Sequence, residues 1–333
     1  METKVKHHDG KTWIDGIKGW TPRDMADDIH AARYTVLRAI GIDVTYEELL
    51  GVSSMAFRLQ VTEDLCPSSA NSFCGFRSCV RSLQLFPWSV RLVEFNHEDV
   101  KELKQARAAV IDSINRGIPV HYGNIVDGVI IGYLNDGQQW LCLHPMKGRK
   151  EPFVKNELPE TLILPGEPKS GTPEKKQLAL DALKQALEMA HAGMAEEYAV
   201  GFNAWQLWLT KLAEFQKQTN PINPETIWGN AWIYFSLIES RRAAVKYLRS
   251  VANMFSKPAA AHLEEAATSY EKLVDALLSG DKDSQRIAPF PGPAEDNISW
   301  KPEQMREQAR RLKTALELEK KAITEIKAAI VNE

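Results

Sequence analysis

The sequence predicts an α+β protein: an α/β domain with a small antiparallel sheet over residues 1–165, then an all-helical bundle domain over 172–333. Three observations carry that reading. Short runs with strand-period alternation, separated by turn residues, recur between Trp88 and Leu164. The cluster PGEPKSGTPEKK (165–176) then breaks all periodicity and reads as a linker. Beyond it, apolar residues fall at helical spacing almost to the end of the sequence.

Composition supports two cores of ordinary size, since 333 residues at 44% hydrophobic and 26% charged can bury both. A net charge of -3 supplies no electrostatic footprint for nucleic acid. The opening METKVKHHDGKTW lacks the apolar core of a signal peptide, and no apolar run reaches the roughly 18 residues of a spanning helix. A cytoplasmic protein with no membrane partner is expected. Four scattered cysteines do not make a disulfide scaffold in a chain this long, so thiols are expected.

In chain order, residues 1–24 mix turn residues with single aromatics, Trp13 and Trp20, and read as a mostly irregular arm across a surface. Thr21-Pro22 opens the first helix, because proline fits a first turn and Asp24, Asp27 and Asp28 suit the positive end of the helix dipole. Ala31, Ala32, Val36, Leu37 and Ile40 share one face, and Gly41 stands where a helix ends. Thr45 and Glu48 form a capping-box pattern before a second short helix that buries Leu49 and Leu50. The stretch CPSSANSFCGFRSCV (66–80) is a loop. Its Cys66, Cys74 and Cys79 lack zinc spacing and a nearby histidine, so neither metal nor cofactor is expected and packed neutral thiols are.

A βαβ-like rhythm follows. Residues 88–95 are a strand, and 98–116 a helix with Val100, Leu103, Ala106, Val110, Ile111 and Ile114 inward. Strands begin at Gly117 and Asp127, and Asn135-Asp-Gly makes a type I′ style turn into a strand ending at His144-Pro145. Thr161–Leu164 is a further strand. In the second half, Thr172 caps a helix running to about His191, and Gly201–Leu212 places Ala204, Trp205, Trp208, Leu209 and Leu212 together. A helix starts at Asn223-Pro224, a separate helical run covers 231–251, and further helices cover 258–278 and 302–331, with PFPGPAEDN (289–297) as a loop. The last helix is laced with Lys and Glu, as for an exposed face or a homodimer contact. Glu239, Arg241 and Arg242 sit beside Trp228, Trp232, Tyr234 and Tyr247. Two readings stay open: arginine stems packed on aromatics, or a cationic groove facing the α/β domain for an anionic small molecule or a peptide carboxylate.

Residues 28–41, DIHAARYTVLRAIG, resemble without gaps the first helix of papain-like cysteine peptidases of the bacteriocin-processing type, which begins Cys-Gly-Pro-Ala-Ala-Leu. The run Gly117-Ile-Pro-Val, the strand from Asp127 to Leu134 and the ending His144-Pro145 resemble the segments that carry that family's general-base His and orienting Asp-Pro. The continuation from Val44 to Leu59, the Cys-Pro-Ser and Cys-Gly-Phe of the loop, and the Glu239–Ala244 run are similar to the butirosin-biosynthesis acyltransferase family and its uncharacterised bacterial relatives. The resemblance implies a papain-like first domain. It also implies that Asp28, Asp127 and His144 stand at the nucleophile, base and orienting positions, none of which holds its usual residue.

A thiol–imidazole pair works because the imidazole takes the thiol proton. Asp28 cannot replace the thiol, because a carboxylate at a helix start is stabilised as an anion and is a poor nucleophile. The resemblance therefore implies a non-catalytic papain-like protein that binds a small molecule or peptide in the cleft between its domains, lined by Trp20, Asp28, His30, His121, Tyr122, Asp127, His144, Arg241 and Arg242. Asp28 and Asp127 would be near neighbours. One of the two should then keep its proton, with His30, His121 or Tyr122 as partner, favouring an amine or a sugar over an acyl donor. The alternative is a thiol-dependent hydrolase or acyltransferase using Cys66 or Cys74 with His30, His121 or His144.

Overall fold

The first residues form a hairpin where an irregular arm is expected. In the computed structural model, which describes residues 5–123, 126–145, 150–171, 173–290 and 299–333, β1 (Val5–His8) pairs antiparallel with β2 (Lys11–Ile14). Asp9 and Gly10 both take left-handed φ, 47° and 71°, which a two-residue hairpin turn requires. Trp13 then lies against Gly132, whose hydrogen leaves room that a Cβ would deny: it would fall 2.4 Å from the Thr12 carbonyl oxygen.

The chain packs as two units, residues 1–49 with 82–173, and 50–81 with 174–333. Residues 50–81, read from the sequence as part of a contiguous first domain, thus pack with the helical half, and the division falls inside α2 (Tyr46–Val52). Thr45 Oγ1 caps α2 by accepting the Glu48 amide at 3.0 Å.

In the first unit, β4 (Trp88–Glu94), β5 (Val120–Gly123), β6 (Gly128–Leu134), β7 (Gln139–Leu143), β8 (Phe153–Lys155) and β9 (Thr161–Pro168) join β1 and β2 in one sheet. Every pairing among the described strands is antiparallel. One edge of β6 is shared by β5 and β2 and the other pairs β7. The segment β4, α3 (Val100–Asn115), β5 is not a parallel neighbour pair, because β9 lies between β4 and β5 and pairs with each. The β6–β7 connection is wider than a two-residue turn: Asn135, Asp136 and Gly137 all have positive φ.

Alternation then fixes two cores. Val129, Ile131, Leu141 and Leu143 face one side and pack with Ala31, Ala32, Val36 and Leu37 of α1 (Asp28–Ala39). Val120, Tyr122, Ile130, Trp140, Cys142, Leu162 and Leu164 face the other and pack with Ala106, Val110 and Ile114 of α3. The first helix starts six residues later than Thr21-Pro22 suggests. Asp24 turns back to accept from the Thr21 amide and hydroxyl, both at 2.8 Å, so Thr21 caps one turn only, and Asp27 is the cap of α1. Gly41, at φ 85°, ends it, with the Ile42 amide reaching the Leu37 carbonyl.

The second unit contains α4 (Lys175–Ala190), α5 (Phe202–Phe215), α6 (Pro224–Val251), α7 (Lys257–Leu278) and α8 (Pro302–Val331). The sequence's separate helices at 224 and 231–251 are one, because nothing between them breaks the ladder. The unit is not all-helical: β3 (Gln60–Val61), β10 (Gly193–Ala195) and β11 (Tyr198–Val200) form a three-stranded antiparallel sheet. The turn that makes it has Glu196 at φ 54°, a conformation its sequence does not advertise. Thr172 and most of the loop expected over 289–297 lie outside the described residues.

Candidate functional site

The amino end of α1 and the start of β6 bring Asp27, Asp28, His30, His121 and Asp127 together within the first unit. Asp27, as helix cap, accepts the His30 amide at 2.9 Å and faces His30 Nδ1 at 2.5 Å, and both side chains are buried. His121 lies on the α1 side of β5, because its neighbours Val120 and Tyr122 face α3. There its Nε2 meets Asp127 Oδ2 at 2.5 Å, again in a buried position. An ionised carboxylate can only accept, so in both pairs the ring nitrogen facing the acid carries the proton.

Asp28 links the two pairs. Its Oδ2 accepts the Asp127 amide at 2.6 Å. The side chain is half-buried. Burial first, then repulsion from Asp27 and from Asp127, holds its carboxyl well above the usual carboxylate range, against the opposing pull of the Asp127 amide and of its own. The cluster therefore sets three carboxyl groups against two imidazoles. Its most exposed acid, Asp28, is the one whose carboxyl is pushed up, so of the three it releases its proton with most difficulty.

The other residues grouped with this site fall elsewhere. Trp20 is a core side chain, packed with Ala31, Ala32 and Val36 at 2% exposure, and its indole N–H makes no hydrogen bond among the described residues. Tyr122 belongs to the α3 core, with Oη donating to the Leu143 carbonyl at 3.5 Å, and burial pushes its phenol far up. His144 stacks on Tyr122, ring centres 6.5 Å apart, with its edge to Phe153. Alternation along β7 thus puts the third matched position on the Tyr122 side.

Arg241 and Arg242 are in the second unit, and Arg241 cannot line an open groove. It is fully buried, gives Nε and Nη2 to Glu319 at 2.8 Å each, and gives Nη1 to the Ala56 and Arg58 carbonyls. Its guanidinium lies 5.4 Å from the centre of the Tyr270 ring. Arg242 makes an exposed pair with Glu239 at 2.5 Å.

Cys66 and Cys74 are half-buried thiols of the second unit. Ser68 Oγ donates to Cys66 Sγ at 2.9 Å and also meets Tyr198 Oη at 2.9 Å. The loop that carries them is wound on the buried Arg58, whose guanidinium donates to the carbonyls of Ser69, Asn71, Cys74 and Phe76. Histidines in the same unit are engaged otherwise, His262 with Glu325 at 2.8 Å and His191 edge-on to Phe202.

Sequence reading missed Asp27 as a site residue, although an acid three positions before His30 at a helix start is the pattern of a cap that also holds a side chain. Among the described residues, no group of three or more His, Cys, Asp or Glu side chains, this cluster included, is arranged to hold a metal ion. No protein-family model matches the chain, and no curated protein matches it.

Proposed function

We propose that the chain is a non-catalytic, papain-like binding protein whose first unit receives an amine-bearing small molecule or peptide group at Asp28. The observation that supports this most is the 2.6 Å contact between the Asp28 carboxylate and the Asp127 amide. It makes neighbours of the two positions that correspond, by resemblance, to the nucleophile and base of the cysteine peptidases. With carboxylates there, the thiol–imidazole chemistry of those peptidases is not available, but an ammonium is well matched. A cation beside Asp28 offsets the repulsion from Asp27 and Asp127 and favours release of its proton. A hydroxyl-rich sugar is the weaker candidate, offering donors without charge. A cytoplasmic setting fits this reading, since all four cysteines are free thiols.

The test is a thermal-shift screen of primary amines, polyamines, amino sugars and neutral sugars against the full chain, repeated with Asp28→Asn. An amine whose shift disappears in the variant supports the reading. Shifts that survive in both Asp28→Asn and Asp127→Asn overturn it. Blocking Cys66 and Cys74 with iodoacetamide separates the alternative: ligand binding lost on alkylation favours a thiol-dependent hydrolase or acyltransferase.

A further inference from the structure

On the α3 side of the sheet, away from Asp28, an open groove of about 520 Å³ runs between β4, β9 and the last turns of α3. Its polar lining is Ser89 and Arg91 from β4, Asp112 and Ser113 from α3, Arg116 at the carboxyl end of that helix, and Glu167 from β9. Arg116 is already paired with Asp112 at 3.2 Å. The side chains of Arg91 and Glu167 are both exposed, and neither makes a hydrogen bond or ion pair among the described residues.

Local backbone geometry builds this arrangement. Between the pairs Trp88–Pro168 and Val90–Pro165, two residues of β9, Gly166 and Glu167, stand opposite the single Ser89 of β4, a bulge in β9 that re-aims its side chains. At Gly166 a Cβ would lie 2.5 Å from Ser89 Oγ and 2.8 Å from its carbonyl oxygen. Only glycine lets the two strands approach with the serine in this place. Ala109 and Leu164 supply an apolar part of the lining.

We propose that this groove binds a small zwitterion, an α-amino acid or a dipeptide, with its carboxylate on Arg91, its ammonium on Glu167 and an aliphatic side chain along Ala109 and Leu164. The four charged residues cancel, so a ligand of one sign gains nothing from the groove as a whole. A ligand carrying both signs meets the two groups that have no partner. The guanidinium fork matches a carboxylate in two parallel hydrogen bonds, and the volume lies in the range of small-ligand sites. The site is independent of Asp28, being on the opposite face of the sheet.

Saturation-transfer NMR and isothermal titration of the full chain with leucine and with glycyl-leucine test the proposal and distinguish a free amino acid from a dipeptide. N-acetyl-leucine, which lacks the ammonium, and leucinamide, which lacks the carboxylate, are the controls. At least one zwitterion should bind, with Kd on the order of 0.1–1 mM for an open site, and each end-blocked control should bind at least about tenfold more weakly. Arg91→Gln and Glu167→Gln are exposed substitutions that should leave thermal unfolding unchanged and abolish this binding, whereas Asp28→Asn should leave it intact. Failure of both zwitterions to bind overturns the proposal, as do equal binding of the end-blocked controls or binding that survives in both groove variants. None of these outcomes bears on Asp28.

Discussion

The Asp28 carboxylate accepts the main-chain amide of Asp127 at 2.6 Å, so the first turn of α1 and the start of β6 are tied by an acid that holds its own proton tightly. Helix start, strand start and electrostatics are thereby coupled in one contact.

That coupling has a definite pH signature. A carboxyl whose proton is held more tightly in the folded chain than in the unfolded one contributes its full share to stability below the ordinary value of 3.8. The share is lost as pH rises toward the folded value, because across that window the unfolded chain has released a proton that the native chain keeps. Asp28→Asn keeps the shape and the oxygen that accepts from Asp127 but cannot ionise. Urea unfolding should find the variant more stable than the parent at pH 7–8, by roughly 1–2 kcal/mol, with the two curves converging near pH 3.5. A variant that is less stable at neutral pH would mean that ionised Asp28 has a favourable partner.

A second prediction concerns Arg241 and Glu319, a fully desolvated pair in the second unit. Removing either partner strands a buried charge, and Arg241→Met or Glu319→Leu alone should cost about 3–5 kcal/mol. The double substitution should recover part of that loss. Recovery should be incomplete, because the Ala56 and Arg58 carbonyls lose their donor in any variant without the arginine. Guanidinium unfolding of the four proteins gives the coupling energy directly, and strictly additive single losses would contradict a coupled pair.

Arg58 makes a third. Four loop carbonyls converge on its guanidinium, and Gln60 adds two more bonds, donating to the Cys74 carbonyl and accepting the Phe76 amide. Arg58→Ala should release the Ser69–Phe76 segment and expose both Cys74, which lies on it, and Cys66, three residues before it. Cys66 and Cys74 should then react with a disulfide reagent at least about tenfold faster, at a stability cost of roughly 2–4 kcal/mol. An unchanged thiol rate would show that the loop holds its shape without the arginine.

How far the sequence reveals the fold follows from the range of the forces involved. Period-2 and period-3.6 patterns locate β4, α3, β6, β7 and α4–α8, because burial on one face writes itself along the chain. The Asp9-Gly10 turn is equally legible in the sequence, although the lone aromatics around it favour an arm. What periodicity cannot show is long-range assignment. Nothing local says that β9 inserts between β4 and β5, or that residues 50–81 pack with 174–333. At the site, Asp28 and Asp127 are adjacent, as expected of the two matched positions. Of the two readings of Arg241, the structure has the one with its guanidinium against an aromatic ring and on a carboxylate, though that partner, 78 residues away, leaves no local trace. Tyr122 and His144, expected at the site, face the other side of the sheet, because alternation puts Tyr122 in the α3 core with His144 stacked on it.

The last prediction turns on a single hydrogen. Gly229 lies inside α6, where glycine is ordinarily replaceable by alanine with a gain of about 1 kcal/mol in helix propensity. Here the sign should reverse. A Cβ at this position would sit 1.8 Å from the Leu65 carbonyl oxygen and 3.1 Å from Pro67 Cδ, both in the segment that leads into the cysteine loop. The obstacle is backbone, so no rotamer change relieves it, and either α6 or the 65–67 chain must shift. Both lie in well-packed surroundings, with Ile227 and Ala231 buried on either side of the glycine. Gly229→Ala should therefore destabilise the protein by about 3 kcal/mol or more in chemical unfolding. Hydrogen exchange should quicken at the Leu65 and Cys66 amides, which are bonded to the Thr62 carbonyl and hydroxyl. A neutral or stabilising result would show that the helix and the loop do not approach this closely.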